Sequence, residues 1–300
     1  MAKNERPLKN KPGKEPRKGR PKKKRSKKSK STLHRHYLYS AAVQSVDADL
    51  AFFRRIYKKR NGETFRRLRE DFCGTAVLAC DWVRRDLRNE AWGIDLDQPT
   101  LDWGVKHYGP RLGKSSKRLH LQCRDVLQVT RPKVDLVAAL NFSYSVFHTR
   151  DMLSRYFRQV CKSLAHGGVF VLDAWGGSET MCEDLENRSV EAEEAFDGKK
   201  IPSFTYVWEQ SRFNPIDHRI VCHINFKLRD GTRMKKAFTY DWRLWTLPEM
   251  RELLLDAGFL SADVYVEGWD DEEDESDGIF RKRKYFENQE GWVAYVVAHA

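Results

Sequence analysis

The chain has 300 residues, enough for one sizeable core with additions, and its 55 Lys and Arg against 43 Asp and Glu give a net charge of +12. Fifteen of those cations and only Glu5 and Glu15 fall within residues 1–30, so the rest carries about −1, and any strong pull on phosphates comes from the N-terminal segment. Six scattered cysteines without a Cys-x-x-Cys pair argue against a secreted disulfide scaffold, and no apolar run approaches the ~20 residues that span a bilayer, so a soluble, cytoplasmic chain without a membrane partner is expected.

Residues 1–32 hold four prolines, almost no large apolar side chain and a self-repelling charge block, which predicts a disordered basic tail. Within it, residues 21–28 look like a nuclear-localisation signal, a nuclear address if the source is eukaryotic. Gly19-Arg20-Pro21 resembles the core of an AT-hook. Residues 1–32 are therefore a candidate nucleic-acid contact, with a generic polycationic tail as the plainer reading.

The remaining residues, 33–300, read as one domain. Residues 33–66 form an N-terminal helical cover, with Leu50, Phe53 and Tyr57 at helical spacing. Strand-like and helical segments then alternate: a charged strand at 68–71, a helix at 76–87, a strand at 91–94, a helix at 99–108, strands at 119–123 and 134–140, a helix at 151–165 and a strand at 169–172. This rhythm predicts a parallel sheet covered on both faces. Residues 178–243 break it with an acidic helical stretch and three longer strands, 204–213, 219–228 and 234–242, read as an antiparallel insertion or lid. Thr246-Leu247-Pro248-Glu249 is a capping box opening a helix to Gly258, followed by a strand near Val264, an acidic loop at 270–277 and a last strand at 292–297.

The charges of the first strand break a rule, because a central parallel strand should be apolar, yet Arg66, Arg67, Arg69, Glu70 and Asp71 crowd it. The segment that follows, Asp71-Phe72-Cys73-Gly74-Thr75-Ala76, precedes a helix. With Glu70 it resembles motif I of the class I S-adenosylmethionine-dependent methyltransferases, an acidic residue and a Gly-x-Gly-x-Gly loop often ending Cys-Gly-Thr-Gly. Phe72 and Ala76 stand where that family has glycine. The resemblance covers about 68–177 and returns at 246–259. It implies a doubly wound α/β fold, a seven-stranded mixed sheet whose last strand is antiparallel, with the antiparallel insertion added.

It also implies S-adenosyl-L-methionine as methyl donor, bound at the carboxyl ends of the strands. Glu70, Cys73, Gly74 and Thr75 match motif I. Arg69 is a candidate partner for the donor's carboxylate, with Glu70 or Asp71 receiving its ammonium; a structural Arg–Asp pair is the alternative. Asp95, ending Ala91-Trp92-Gly93-Ile94-Asp95, matches the position that holds the ribose hydroxyls, with Asp97 as fallback and a helix cap as the plainer role. Asp125 matches the contact to the adenine amino group. Leu140-Asn141-Phe142-Ser143-Tyr144 sits where amino-methylating nucleic-acid enzymes carry Asn/Asp-Pro-Pro-Tyr and small-molecule members carry Asn-x-Ser. Asn141 and Tyr144 are thus candidate active-site residues, Asn141 also toward the donor, and His148 is a candidate base or a surface loop residue. Asp173 lies near the same sheet edge.

In the insertion, Phe204, Tyr206, Trp208 and Phe238, Tyr240, Trp242 each share a strand face, as core or as an aromatic lid. Tyr39 and Gln44 are candidates to close over the donor. His218, Cys222 and His223 do not converge for metal, because four strand residues set His218 and Cys222 roughly 13 Å apart. The expected function is methyl transfer by in-line displacement to an unidentified, small-molecule acceptor. A nucleic-acid or protein methyltransferase delivered by the tail, and a non-enzymatic binding protein on the same scaffold, are the alternatives.

Overall fold

The computed structural model describes residues 33–129, 131–270 and 275–300; the expectations for the basic tail fall outside these. Two helices open it, α1 (Arg35–Val43) and α2 (Val46–Asn61). The core elements then follow as β1 (Arg67–Asp71), α3 (Val77–Arg85), β2 (Glu90–Asp95), α4 (Gln98–Leu112), β3 (Leu119–Cys123), β4 (Val134–Ala139), α5 (Arg150–Ser163) and β5 (Leu164–Gly176). Strands β6 (Asp184–Val190), β7 (Glu193–Glu194), β8 (Lys200–Ile201), β9 (Phe204–Phe213), β10 (Arg219–Leu228) and β11 (Arg233–Arg243) come next. Helix α6 (Leu247–Asp256) and strands β12 (Ser261–Asp270), β13 (Glu275–Arg283) and β14 (Trp292–His299) complete the chain.

The main sheet runs β13-β12-β14-β5-β4-β1-β2-β3. Strands β1 to β5 are parallel, and β14 is antiparallel to both β5 and β12. The expected seven strands are eight, because β13 returns against β12 where a loop was expected. Its Phe280 ring packs 4.6 Å from Tyr295 and 5.8 Å from Phe52, apolar contact that an acidic flank in the sequence conceals. The acidic helical stretch is likewise overturned: β6 is the outer strand of a second sheet, β11-β10-β9-β6. There its charged side chains reach solvent, which an edge strand tolerates.

Two apolar layers flank the main sheet, one under α2, α3 and α4, the other under α5 and α6. The second sheet buries Phe204, Ile224 and Phe226 against Leu38 and Ala42 of α1. At the reversal of strand order, β1 lies between β2 and β4, with Asp71 in register with Ala139. The carboxyl ends of these strands therefore open a crevice, and α1 and β11 lie over it. No described helix is long and apolar enough to cross a membrane.

Candidate active site

The loop after β1 puts Phe72, Gly74 and Ala76 at φ of 56°, 54° and 58°, the left-handed region. Two of the three are not glycine, and each such residue costs roughly 1–2 kcal/mol. The neighbours hold them there. The Phe72 ring packs against Phe147 and Tyr156 at 6.0 and 5.6 Å. The main chain is tied by Cys73 N–H to the Ile94 carbonyl (3.0 Å), Gly74 N–H to Asp95 Oδ2 (2.7 Å) and Ala76 N–H to the Cys73 carbonyl (2.8 Å). Close approach is provided from outside the loop: a Cβ on Gly104 of α4 would lie 2.3 Å from the Thr75 carbonyl oxygen, and one on Gly93 of β2 would lie 2.9 Å from the Cys73 sulfur. A Cβ on Gly74 would meet only a Thr100 methyl, at 3.9 Å, so its absence keeps the crevice open.

A cavity of about 300 Å³ lies on this loop. Glu70, Asp71, Cys73, Gly74, Thr75 and Asp95 line its floor, Leu140 and Asn141 one wall, and Arg35, His36, Tyr39, Gln44, Phe238, Tyr240 and Trp242 its roof. The Tyr240 and Trp242 rings stack at 4.2 Å, and the Tyr39 and Tyr240 hydroxyls are hydrogen-bonded. These insertion aromatics form an aromatic roof over the loop, whereas Phe204 is core. Buried Gln44 Oε1 has no hydrogen-bond partner. Burial, with His34 and Arg35 beside it, holds His36 at a pKa of about 4, so it is neutral near pH 7. Burial also pushes the Cys73 thiol up, so it supplies no thiolate.

Several sequence-predicted residues lie elsewhere. Arg69 does not reach the cavity. Strand alternation turns it to the α5 side, where Nε and Nη2 pair with Asp71 at 2.9 Å, Nη1 donates to the Val129 carbonyl at 3.0 Å, and the Tyr156 hydroxyl donates to Asp71 at 2.9 Å. The structural Arg–Asp pair is the arrangement present. Tyr144 is buried between α5 and α6 with its hydroxyl 3.3 Å from the Met250 sulfur, so it is core rather than active site. His148 Nε2 bonds the Asp241 carbonyl oxygen at 2.8 Å and lies off both cavities. Asp125 caps a short turn through Leu127 N–H at 2.9 Å, away from the cavity wall. Asp97 caps α4 through Thr100 while also lining the cavity. Cys222 and His223 point apart, His223 bonding Thr239 at 3.0 Å; among the described residues no three His, Cys, Asp or Glu side chains are placed to hold a metal ion.

Asn141 is on the wall, and its setting was not legible beforehand. Asn141 and Phe142 both take left-handed φ of 57°, and Asp173 at the end of β5 holds the pair by accepting their N–H groups at 2.7 and 2.9 Å. Across this turn lies a second cavity of about 660 Å³ sharing Leu140 and Asn141 with the first. Asp49 and Asp173 line it, the Tyr295 hydroxyl donating to Asp49. Burial pushes Asp49 to about 6, Asp173 to about 7 and Glu70 to about 8.

These values lie above the roughly 4 of an unfolded carboxyl, so the folded chain keeps protons that the unfolded chain releases. Their contribution to stability is fullest below roughly 4 and is lost as pH rises from there to about 6, 7 and 8 respectively. The thermal midpoint is therefore expected to fall between pH 5 and 8.5, and Glu70→Gln to flatten that fall; identical slopes would refute it.

No family model matches the chain, and no curated protein matches it by sequence. Solved structures do. A S-adenosylmethionine-dependent methyltransferase from Clostridium acetobutylicum superposes with a TM-score of 0.58 at 19% identity over 87% of this chain and 96% of that one. An amino pentose methyltransferase from Micromonospora echinaspora, solved with bound S-adenosylmethionine, gives 0.61 at 16% over 90% and 99%. A sugar N-methyltransferase from a Streptoalloteichus species gives 0.58 at 16% over 90% and 95%. At such identities the likeness is one of fold: the chain has the class I, Rossmann-like methyltransferase fold.

Proposed function

We propose that the protein transfers a methyl group from S-adenosyl-L-methionine to a small-molecule acceptor, the donor lying on the motif I loop and the acceptor in the larger cavity. The observation that carries this is the meeting of two cavities at Leu140 and Asn141, where the strained Asn141–Phe142 turn begins, one of them lined by the motif I loop and Asp95. The residues present suit the donor. Asp95 faces the cavity with its carboxylate already oriented by Gly74 and Asp97 N–H, leaving each oxygen a lone pair for a ribose hydroxyl. Gln44 Oε1 supplies an unpaired acceptor.

With Asp71 committed to Arg69, Glu70 is the buried carboxyl of the floor that an entering ammonium would meet, and the ammonium's charge would favour its ionised form. Arg35, absent from the sequence-derived candidates, is the cation on the roof that suits the donor's carboxylate; its Nη1 is steadied by the Ala237 carbonyl at 2.8 Å. When bound, the sulfonium supplies an electrophilic methyl group. The chain's part is to align the acceptor and exclude water, which Tyr39, Tyr240 and Trp242 do by covering the loop. The acceptors named for two of the similar structures, a sugar and an amino pentose, support a small acceptor here.

Calorimetric titration with S-adenosylhomocysteine tests the donor half. Micromolar binding is expected, weakened about tenfold or ~1.4 kcal/mol in Asp95→Ala, and unchanged in the control His148→Ala. No binding by the unsubstituted protein would leave the scaffold without its donor and favour a non-enzymatic role.

A further inference from the structure

The larger cavity has a charge arrangement that the methyltransferase reading does not use. At its depth, Asp49 of α2 and Asp173 of β5 are 8% and 9% exposed. No lysine or arginine pairs with either among the described residues: Asp49 accepts from the Tyr295 hydroxyl, and Asp173 from two main-chain N–H groups. The cations of the cavity are exposed residues at its rim and are committed elsewhere. Arg55 donates to the Phe280 carbonyl and lies over Phe52, while Arg188 donates to the Ala42 carbonyl and lies over Tyr206. Buried carboxylates without a cation are costly, and a ligand that brings a positive charge offsets that cost. The rings of Phe52 and Tyr295, stacked at 4.4 Å, form an apolar wall beside Asp49. Aromatic faces beside a carboxylate suit an ammonium group on an apolar body.

We propose that the larger cavity takes an amine, and that Asp49, oriented by the Tyr295 hydroxyl, binds the acceptor nitrogen and accepts its proton. The proposal rests on the methyltransferase reading and names its substrate class. The entering ammonium gives one proton to the Asp49 carboxylate, from which it passes to water. The nitrogen lone pair then forms the N–CH₃ bond as the S–CH₃ bond breaks; the broken bond's electron pair stays on sulfur, which becomes a neutral thioether. The product leaves as a methylated ammonium. Asp49 is the catalytic residue of this scheme and Tyr295 a positioning residue. Glu267 adds negative charge around Asp49, and Asp173 does so once its own carboxyl ionises at about 7; Arg55 and Arg188 add positive charge from the rim, and Tyr206 a neutral phenol.

The test uses the full chain saturated with S-adenosylhomocysteine and titrated, by ligand-observed NMR, with 2-phenylethylamine, 2-phenylethanol and 3-phenylpropanoate. The amine is expected to bind at least tenfold more tightly than the other two, with binding that strengthens as pH rises through about 6, where the Asp49 carboxyl ionises. Asp49→Asn should lose at least tenfold in amine affinity while keeping that for S-adenosylhomocysteine, and Asp49→Glu should restore part of it. If Asp49→Asn does not fold, Tyr295→Phe decides: without the phenol to stabilise the carboxylate, the pH midpoint of amine binding moves up. Equal or tighter binding of the alcohol or the carboxylate, no amine binding, or an unmoved midpoint in Tyr295→Phe would overturn the amine assignment. Failure of S-adenosylhomocysteine itself to bind would instead remove the reading beneath it.

Discussion

Arg69→Ala is expected to destabilise the protein by about 3–5 kcal/mol, the cost of stranding one member of a buried ion pair. The side chains of Arg69 and Asp71 are 1% and 0% exposed, joined by one hydrogen bond, Nη2 to Oδ2, and by an Nε–Oδ1 ionic contact, both at 2.9 Å. Without the guanidinium, the Asp71 carboxylate would keep only the Tyr156 hydroxyl as a side-chain donor, and the Val129 carbonyl would lose its Arg69 donor. A loss of this size is a large fraction of the 5–15 kcal/mol that typically separates folded from unfolded chains, so urea unfolding at 25 °C should read it directly. Replacing both residues by leucine should recover most of the loss, because a well-packed apolar pair needs no desolvation. The folded fraction of Arg69→Ala should still bind S-adenosylhomocysteine within about threefold of the unsubstituted protein, a difference of ~0.7 kcal/mol. A selective collapse of donor affinity with stability intact would return Arg69 to the site.

Gly104→Ala gives the second large effect, and its sign opposes helix propensity. In an exposed helix this change stabilises by roughly 0.8–1 kcal/mol. At Gly104 the new Cβ would stand 2.3 Å from the Thr75 carbonyl oxygen and 3.1 Å from its Cα, both main-chain atoms of the motif I loop. Either α4 or the loop must move, at a cost of about 1–3 kcal/mol for overpacking. The expected result is a lower unfolding free energy together with a more than tenfold loss in S-adenosylhomocysteine affinity. A stabilised variant with unchanged affinity would show that α4 does not set the loop.

The sequence carried the parallel sheet well, because alternating apolar segments with short links admit few topologies, and the strand order found follows from them. It misjudged β6 and β13, whose strand character comes from pairing with β9 and β12 and not from their own acidic residues. The floor of the site was legible where chemistry and chain position coincide, as at Glu70, Gly74 and Asp95, which the structure brings to one cavity. Arg69 misled because side-chain type does not reveal which face of a strand it occupies; one residue of register separates the α5 core from the crevice at the strand ends. Tyr144 and Asn141 illustrate the same limit within a single turn, one pointing into the core and the other onto the wall. Arg35, Asp49 and Tyr295 carried no signal at all, since they come from the two opening helices and the distant last strand and acquire meaning only once α1, α2 and β14 meet above the sheet edge.

Phe72 and Ala76 change how the motif I loop is stabilised. A glycine there is unstrained in the folded state but widely free in the unfolded one, so every glycine must surrender a wide range of backbone shapes on folding. Phe72 and Ala76 reverse that balance: they meet strain in the native loop, yet their unfolded backbones have less freedom to lose. The loop's shape is accordingly held by the surrounding contacts of Phe147, Tyr156, Gly93 and Gly104 instead of by glycines of its own. A loop held from outside in this way can change its own letters for as long as the contacts that hold it stay in place.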